Sequence, residues 1–553
     1  MSSSIGSRRG DQTTGPYAAE SCSITNDGSA FTSLHLLGAV AGYSSHSMDG
    51  ERLILECVRI ARPGLPPLEG TVVLEDGLIS AVQHGRLRDR VSNAERVDCR
   101  GGVLFPGFED PHCHPLALGS ALLSADCRPS AVPDIAGLRR ALTNWSAENP
   151  GEPIVRGSGY DELALREGRH PDRGDLDAAV ADRPVVLTHS SGHAHVLNTA
   201  ALRLAGITAA TDEPDGGYID REPGSGEPSG LLLEMSQWLD EHLTDSVAGK
   251  ADRYARAAST EFLRNGVTSV TDAGHLNDVR TPAIWERLAS SQVFVPRVTA
   301  MIGYRAGAPS RRTGEASEHG TVKVMLTLTG GRLEPGIETL VEIIAGASKA
   351  GSEVAVHAVE REAIMAVCET VRSARGRGLG LPAVRIEHAS ECPAEVSRAL
   401  KAAGVKVVTQ PGFIFARGDR YLTARTRGHG VPARYLYPFR RWQSDGVPVV
   451  ASSDAPFGPV SPLVGIGAAA TRRTTTGKTL APSERIPVAD AMKLYLRASG
   501  SPEGGPAWLG LNAGQPADLA LLDSDPQEVA ATAIGRIKCL MTVVSGQVAW
   551  TGL

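Results

Sequence analysis

Short apolar runs separated by turn residues open the patterned part of the chain: RLILECVRI from Arg52, GTVVLEDGLISAVQHG from Gly70, then RVDCRGGVLFPG. In the second of these, EDG interrupts alternating apolar and polar positions, which predicts a hairpin. The C-terminal end carries the same kind of material, GQPADLALLDSD and IKCLMTVVSGQVAWTG. Matching β-rich patterns at both ends predict a small β-sandwich domain built from residues 48–104 and 508–553. The middle has another rhythm. After the first strand, read as GGVLFP running into GFEDPHCH, the short runs GVTSVTDAG, FVPRVTAMI, TVKVML, EVAVHAV, VRIEHAS, VKVVTQP and VPVVASSD follow in turn. Most are separated by stretches of helical period, and GIETLVEIIAGASKAG and PAEVSRALKAAG end in the glycine that favours a helix C-terminus. Strand and helix alternating in this way predict an α/β fold, a (β/α)8 TIM-type barrel over residues 105–507. An open doubly wound sheet is the competitor, but no GxGxxG follows the first strand.

One interval breaks the rhythm. Between the first strand and GVTSV lies far more chain than a βα connection needs. It holds its own strand-like runs, PIVRGSGY and RPVVLTHSSG, so an ordered insertion or lid over residues 116–262 is expected. Residues 1–47, rich in Ser, Gly and Thr, are expected to be a tail or peripheral cover.

Composition narrows the function. The 553 residues are 42% hydrophobic and 21% charged, with a formal net charge of −6 and no long run of one sign. Neither nucleic acid nor an anionic membrane is an expected partner, since both select clustered basic surface. No apolar run reaches the roughly 20 residues that cross a bilayer. Eight scattered cysteines without a CxxC pair read as core thiols of a cytoplasmic protein. Arg8-Arg9 stands too far from the only apolar run of the N-terminal segment to form a secretion signal with it. The partner left is a small-molecule substrate, met by a single chain or by a homodimer.

The polar residues on the barrel strands carry the chemistry. His112 and His114 end the first, Lys323 lies on the fourth, His357 and His388 end the fifth and sixth, and Asp454 ends the eighth. The carboxyl ends of barrel strands converge on one face. Residues i and i+2 of a strand share a side, so His112 and His114 can aim at one ion while Cys113 packs outward. Imidazole nitrogens suit Zn²⁺ and its neighbours in the first transition row. Singly, each residue has a bland reading as a hydrogen-bonded core histidine, a half-buried ion-pair lysine or a helix-capping aspartate. As an ordered set on strands 1, 4, 5, 6 and 8, they point to a divalent-metal site. His195 repeats the HxH spacing, but it follows a Ser-Ser-Gly turn and lacks companion ligands.

PGFEDPHCH, VAVHAV, RIEHAS and ASSDAP resemble the strand motifs of the amidohydrolase superfamily of metal-dependent hydrolases. SGHAHVLNTAALRLAGI, GGYIDREPGSGEPSGLLLE and SPLVGIGAAATRR are similar to segments of its YtcJ-like branch, and the likeness runs from about residue 50 to the end. The resemblance implies that His112, His114 and Asp454 hold one ion. His357 and His388 then hold a second or complete the first, so one or two Zn²⁺-like ions are expected. It also places Lys323 where many binuclear members carry a carbamylated, metal-bridging lysine. The chain departs from the branch just after it, reading LTLTGGRLEPG where a DGS-type segment is usual, and it has VEREA after His357 in place of VGDRA.

The expected reaction is hydrolysis of an amide C–N bond by solvent made reactive at neutral pH, with Asp454 moving the proton and His388 assisting at the carbonyl. His193 is an expected substrate contact, and Tyr160 is expected either to line the pocket or to be an aromatic core residue. An ester, lactone or phosphotriester hydrolase on the same ligands, and a non-catalytic metal-bound binding protein, are the alternatives.

Overall fold

The computed structural model describes residues 52–85, 94–214, 216–243, 247–306, 320–329, 331–378, 380–426, 430–496 and 511–552. The expected N-terminal tail, residues 1–47, lies outside them. Both ends of the described chain join one sheet. Its strands pair in the order Gln547–Thr551, Cys539–Val544, Leu519–Leu522, Val103–Pro106, Arg52–Arg62, Leu65–Glu75 and Leu78–His84, and Ala94–Asp98 also pairs with Arg52–Arg62. The expected hairpin is present, with Asp76 and Gly77 between its strands at φ 51° and 75°. Positive φ at both turn residues matches the twist of a tight hairpin.

Hydrogen bonding joins the terminal strands into one eight-stranded sheet. The register of Arg52–Arg62 shifts twice, between Leu55 and Val58 and between Ile60 and Arg62. Such bulges bend and coil a strand. One edge of it therefore serves Ala94–Asp98 and then Val103–Pro106. Leu55, Leu74, Leu104, Leu521 and Met541 share one buried core inside the sheet.

The strand with the two histidines is also one step further along than GGVLFP. Val103–Pro106 belongs to the terminal sheet, paired antiparallel with Leu519–Leu522, and Phe108–Cys113 starts the parallel system. Gly107 separates the two, and a Cβ there would lie 2.1 Å from Thr268 Oγ1, so no larger residue fits without a shift.

From Phe108–Cys113 the parallel pairing passes through Val267–Asp272, Arg297–Ala300 and Ile302–Gly303, Val322–Met325, Val354–Ala358, Val384–His388, Lys406–Thr409 and Val449–Ala451. The third position is a strand broken at Met301, its first part paired backward and its second forward. The last strand returns to the first: Asp454 N–H donates to His112 O at 2.9 Å, and His114 N–H donates to Ala455 O at 2.8 Å. This mixed α/β arrangement is consistent with a (β/α)8 barrel. Helices Ile337–Ala350 and Ala394–Ala403 end at Gly351 and Gly404, with φ 70° and 59°, the left-handed termini the sequence predicts.

Between Cys113 and Val267 the chain forms a second sheet of six strands, in the order Tyr218–Arg221, Pro228–Leu233, Ala194–Leu197, Val185–His189, Val155–Tyr160 and Ala125–Asp126. Helix Val247–Arg264 leads back and packs against Pro115–Leu122, the helix that follows the two histidines. Among the described residues, no helix is long and apolar enough to cross a membrane.

The contact between these helices is tight at Gly119, where a Cβ would sit 2.0 Å from the backbone oxygen of Tyr254. Gly119→Ala is expected to cost about 1–3 kcal/mol by forcing the backbones apart, seen as a lower unfolding midpoint in calorimetry.

Candidate active site

Four segment ends converge where the closing strand meets the first. His112 and His114 leave Phe108–Cys113 on the same side, the period-2 relation that the sequence implies. Their Nε2 atoms lie 3.4 and 3.3 Å from one oxygen, Oδ1 of Asp454. That oxygen is buried and accepts no hydrogen bond. Asp454 carries φ 54°, a backbone state that costs a non-glycine residue about 1–3 kcal/mol and that tends to persist where function demands it. Its burial opposes ionisation, but His112, His114 and His388 outweigh that and hold its pKa well below the usual carboxylate range.

The proton positions of two imidazoles follow from their partners. His112 Nδ1 lies 2.5 Å from Glu387 Oε2, and an ionised carboxylate only accepts, so Nδ1 carries the hydrogen and Nε2 keeps its lone pair. For His388 the chain of reasoning is longer. Ser452 Oγ donates to Thr409 O at 3.2 Å, so it accepts from Gln410 Nε2 at 3.0 Å. Gln410 therefore turns Oε1 to His388 Nδ1 at 2.9 Å, and His388 also presents a bare Nε2. Burial and the nearby Lys323 push His112 down to about 3, burial lowers His388, and burial with His388 and Lys323 takes His357 well below its ordinary value. Neutral imidazoles are what a metal ion requires. Burial likewise brings Lys323 down to about 8, against the pull of Glu387 and Asp454.

This donor set fits a divalent cation: imidazole nitrogens of His112 and His114 face one buried carboxylate oxygen, with His388 beside them. The ligand atoms of His112, His114 and Asp454 all lie within 4.8 Å of one another. His388 stacks edgewise on His357 and tilts against His112, with ring centroids 4.6 and 5.0 Å apart. All six residues expected as ligands, His112, His114, Lys323, His357, His388 and Asp454, line one cavity of about 690 Å³. A second acidic cluster of Asp161, Glu162 and His189 also has ligand atoms in range. There Arg420 donates to both carboxylates at 2.7 and 3.0 Å, so a guanidinium already supplies the positive charge.

The expected substrate contacts divide. His193 lines the cavity, its Nδ1 2.9 Å from Glu234, which raises its pKa. Tyr160 does not line it. That ring is fully buried in the core of the second sheet, its hydroxyl 2.9 Å from His170 Nδ1, because it ends a strand whose inward face makes that core. His195 is likewise structural, between Thr188 and Ser236 at 3.3 and 2.9 Å. Cys113 packs into the main hydrophobic core, away from the cavity, as expected. The second-sheet segment lines the cavity with Ser191, Gly192 and His193 and with Glu234, Ser236, Gln237 and Asp240. Arg417 on helix Gly412–Thr426 holds Ser190 O at 3.0 Å and Phe457 O at 2.8 Å. Phe457 meets His114 edge-on at 5.6 Å and leaves no room for a Cβ on Gly192.

Sequence reasoning passed over Glu387 and Gln410. Glu387 adjoins His388, and strand alternation would send the two to opposite sides. His388 has φ 75°, which breaks the alternation and lets both reach His112. Gln410 follows Lys406–Thr409 directly, and its strand-end position was the available signal.

Comparisons with known proteins agree in kind. The sequence profile of the amidohydrolase family matches residues 95–549. The chain is similar to the YtcJ amidohydrolase of Bacillus subtilis (strain 168), 27% identical over 87% of this chain and 95% of that protein. It is also 27% identical to the N-substituted formamide deformylase of Arthrobacter pascens, over 82% of this chain and 89% of that one. Among solved structures, a metal-dependent hydrolase from Pyrococcus horikoshii aligns with a TM-score of 0.66 at 22% identity, covering 87% of this chain and 99% of that one.

An ion bound only by the folded state stabilises it by about 2.7 kcal/mol at a hundredfold excess over its Kd. Excess divalent metal is therefore expected to raise the unfolding midpoint of the parent in calorimetry, and Asp454→Ala is expected to remove most of that rise.

Proposed function

The chain belongs to the amidohydrolase family, and on that premise we propose that it is a divalent-metal-dependent hydrolase that cleaves the C–N bond of an N-acyl, N-formyl or cyclic amide. We read its parallel system, residues 105–507, as a (β/α)8 barrel carrying an insertion over residues 116–262. The observation that carries the proposal is the buried, unpartnered Oδ1 of Asp454 facing two imidazole nitrogens. His112, His114 and Asp454 are assigned to one ion, taken as Zn²⁺. His357 and His388 are assigned to complete that ion's shell or hold a second. The bare Nε2 of His388 favours this ligand role over donation to a substrate carbonyl. Such an ion, when bound, polarises a carbonyl and lowers the pKa of coordinated water to about 7.

The chain's own groups supply the rest. Asp454 takes the proton of the attacking water and returns it to the leaving nitrogen. Lys323 is buried among Glu387, Asp454 and Asp272, and its lowered pKa makes the neutral amine that carbamylation needs accessible near pH 8. Phe413, Phe457, Tyr421 and Leu436 give the cavity apolar walls that limit water around the reacting bond. The choice of an amide over an ester rests on the family and on the deformylase named above, which shares 27% identity. The seven described cysteines are all free, in keeping with the cytoplasmic reading.

A panel of N-acyl, N-formyl, cyclic-amide and ester substrates tests the reaction class: turnover of amides is expected, and turnover of esters alone would sink the C–N assignment. Asp454→Asn is expected to lower kcat/KM by about 10²–10⁴-fold in the metal-loaded enzyme. Lys323→Ala is expected to lose activity that short carboxylic acids restore in part; full activity without them would remove the carbamate.

A further inference from the structure

We propose that Glu387 is a positioning residue for the metal centre, acting through His112, and that Arg385 locks it in place. The inference rests on the metal-site reading above. Glu387 is completely buried and forms no part of the cavity wall, so it has no direct route to a substrate. Its two oxygens have separate tasks. Oε2 meets His112 Nδ1 at 2.5 Å, and Oε1 accepts from Arg385 Nε at 2.7 Å. Arg385 also donates through Nη2 to the backbone oxygen of Pro111, at 3.0 Å. One guanidinium thus grips both the carboxylate and the residue directly before His112.

The arrangement fixes two properties of His112. A carboxylate offers no hydrogen, so the ring hydrogen sits on Nδ1 and Nε2 faces Asp454 Oδ1 with its lone pair free. The ring plane is held at the far end from the ion, which limits rotation about the side chain. His112 and Glu387 stand 275 positions apart in sequence, and their strands are not neighbours in the pairing order, so the bond spans the interior of the strand system. Groups that orient a ligating histidine in this way typically change metal affinity by about 10–100-fold when altered.

The competing account is that Glu387 only balances the buried charge of Arg385. Glu387→Gln separates the two. Glutamine keeps the volume and can still accept from Arg385, but its amide nitrogen can donate to Nδ1 and move the ring hydrogen to Nε2. The full-length protein, stripped by a chelator, is titrated with Co²⁺ while the visible d–d bands are recorded, and Zn²⁺ affinity is measured by competition with a chromophoric chelator. Glu387→Gln is expected to bind both ions about 10–100-fold more weakly, with shifted d–d bands. Affinity within twofold of the parent, whatever happens to thermal stability, would overturn the positioning role. If Glu387→Gln does not fold, Arg385→Gln carries the test: weaker binding by several-fold is expected, and parental affinity would overturn it. A parent that binds neither ion would instead bring down the metal-site reading itself, whereas a parent that binds and a variant that matches it would bring down this inference alone.

Discussion

A buried carboxylate oxygen with no hydrogen-bond donor is the constraint on which the rest of the site depends. Asp454 Oδ1 is buried and faces Nε2 of His114 and Nε2 of His112, whose ring hydrogen Glu387 holds on Nδ1. Leaving such an oxygen unsatisfied costs about 1–3 kcal/mol, more when it is charged. A divalent cation held there would give the oxygen a partner. The positive φ values at His388 and Asp454 fit the same account, since backbone strain at strand ends persists where surrounding structure requires a particular side-chain direction.

The fold serves this point by closure. Parallel pairing carries the strands around in chain order, and the backbone bonds from Asp454 and His114 across the first and last strands bring residues from both ends of that series together. The carboxylate of Asp110 reinforces the seam by accepting from Ser453 N at 3.0 Å and from the Ser453 hydroxyl. The second-sheet segment lines the cavity with Ser191, Gly192 and His193 of the turn that Arg417 holds and with Glu234, Ser236, Gln237 and Asp240.

Much of this was legible in the residues. The eight short runs named from the sequence correspond to parallel strands, because buried strands read as continuous apolar stretches and the helices between them end at glycine. The strand-end histidines, Lys323 and Asp454 were found because the side-chain period and the convergence of barrel strands are geometric rules. What stayed hidden depended on local breaks in those rules. The register shifts of Arg52–Arg62 are not marked by anything in RLILECVRI. Val103–Pro106 and Phe108–Cys113 read as one strand until Gly107 divides them between two sheets. Of the two readings open for Tyr160, pocket or core, the structure gives the core of the second sheet. Glu387 was lost to the positive φ of its neighbour.

The most direct measurement of the central claim is anomalous diffraction from crystals of the metal-loaded protein, collected at the absorption edge of the ion. The account predicts a peak about 2.0–2.2 Å from His112 Nε2, His114 Nε2 and an oxygen of Asp454. A map with no peak there, or with its only peak at Asp161, Glu162 and His189, would contradict it.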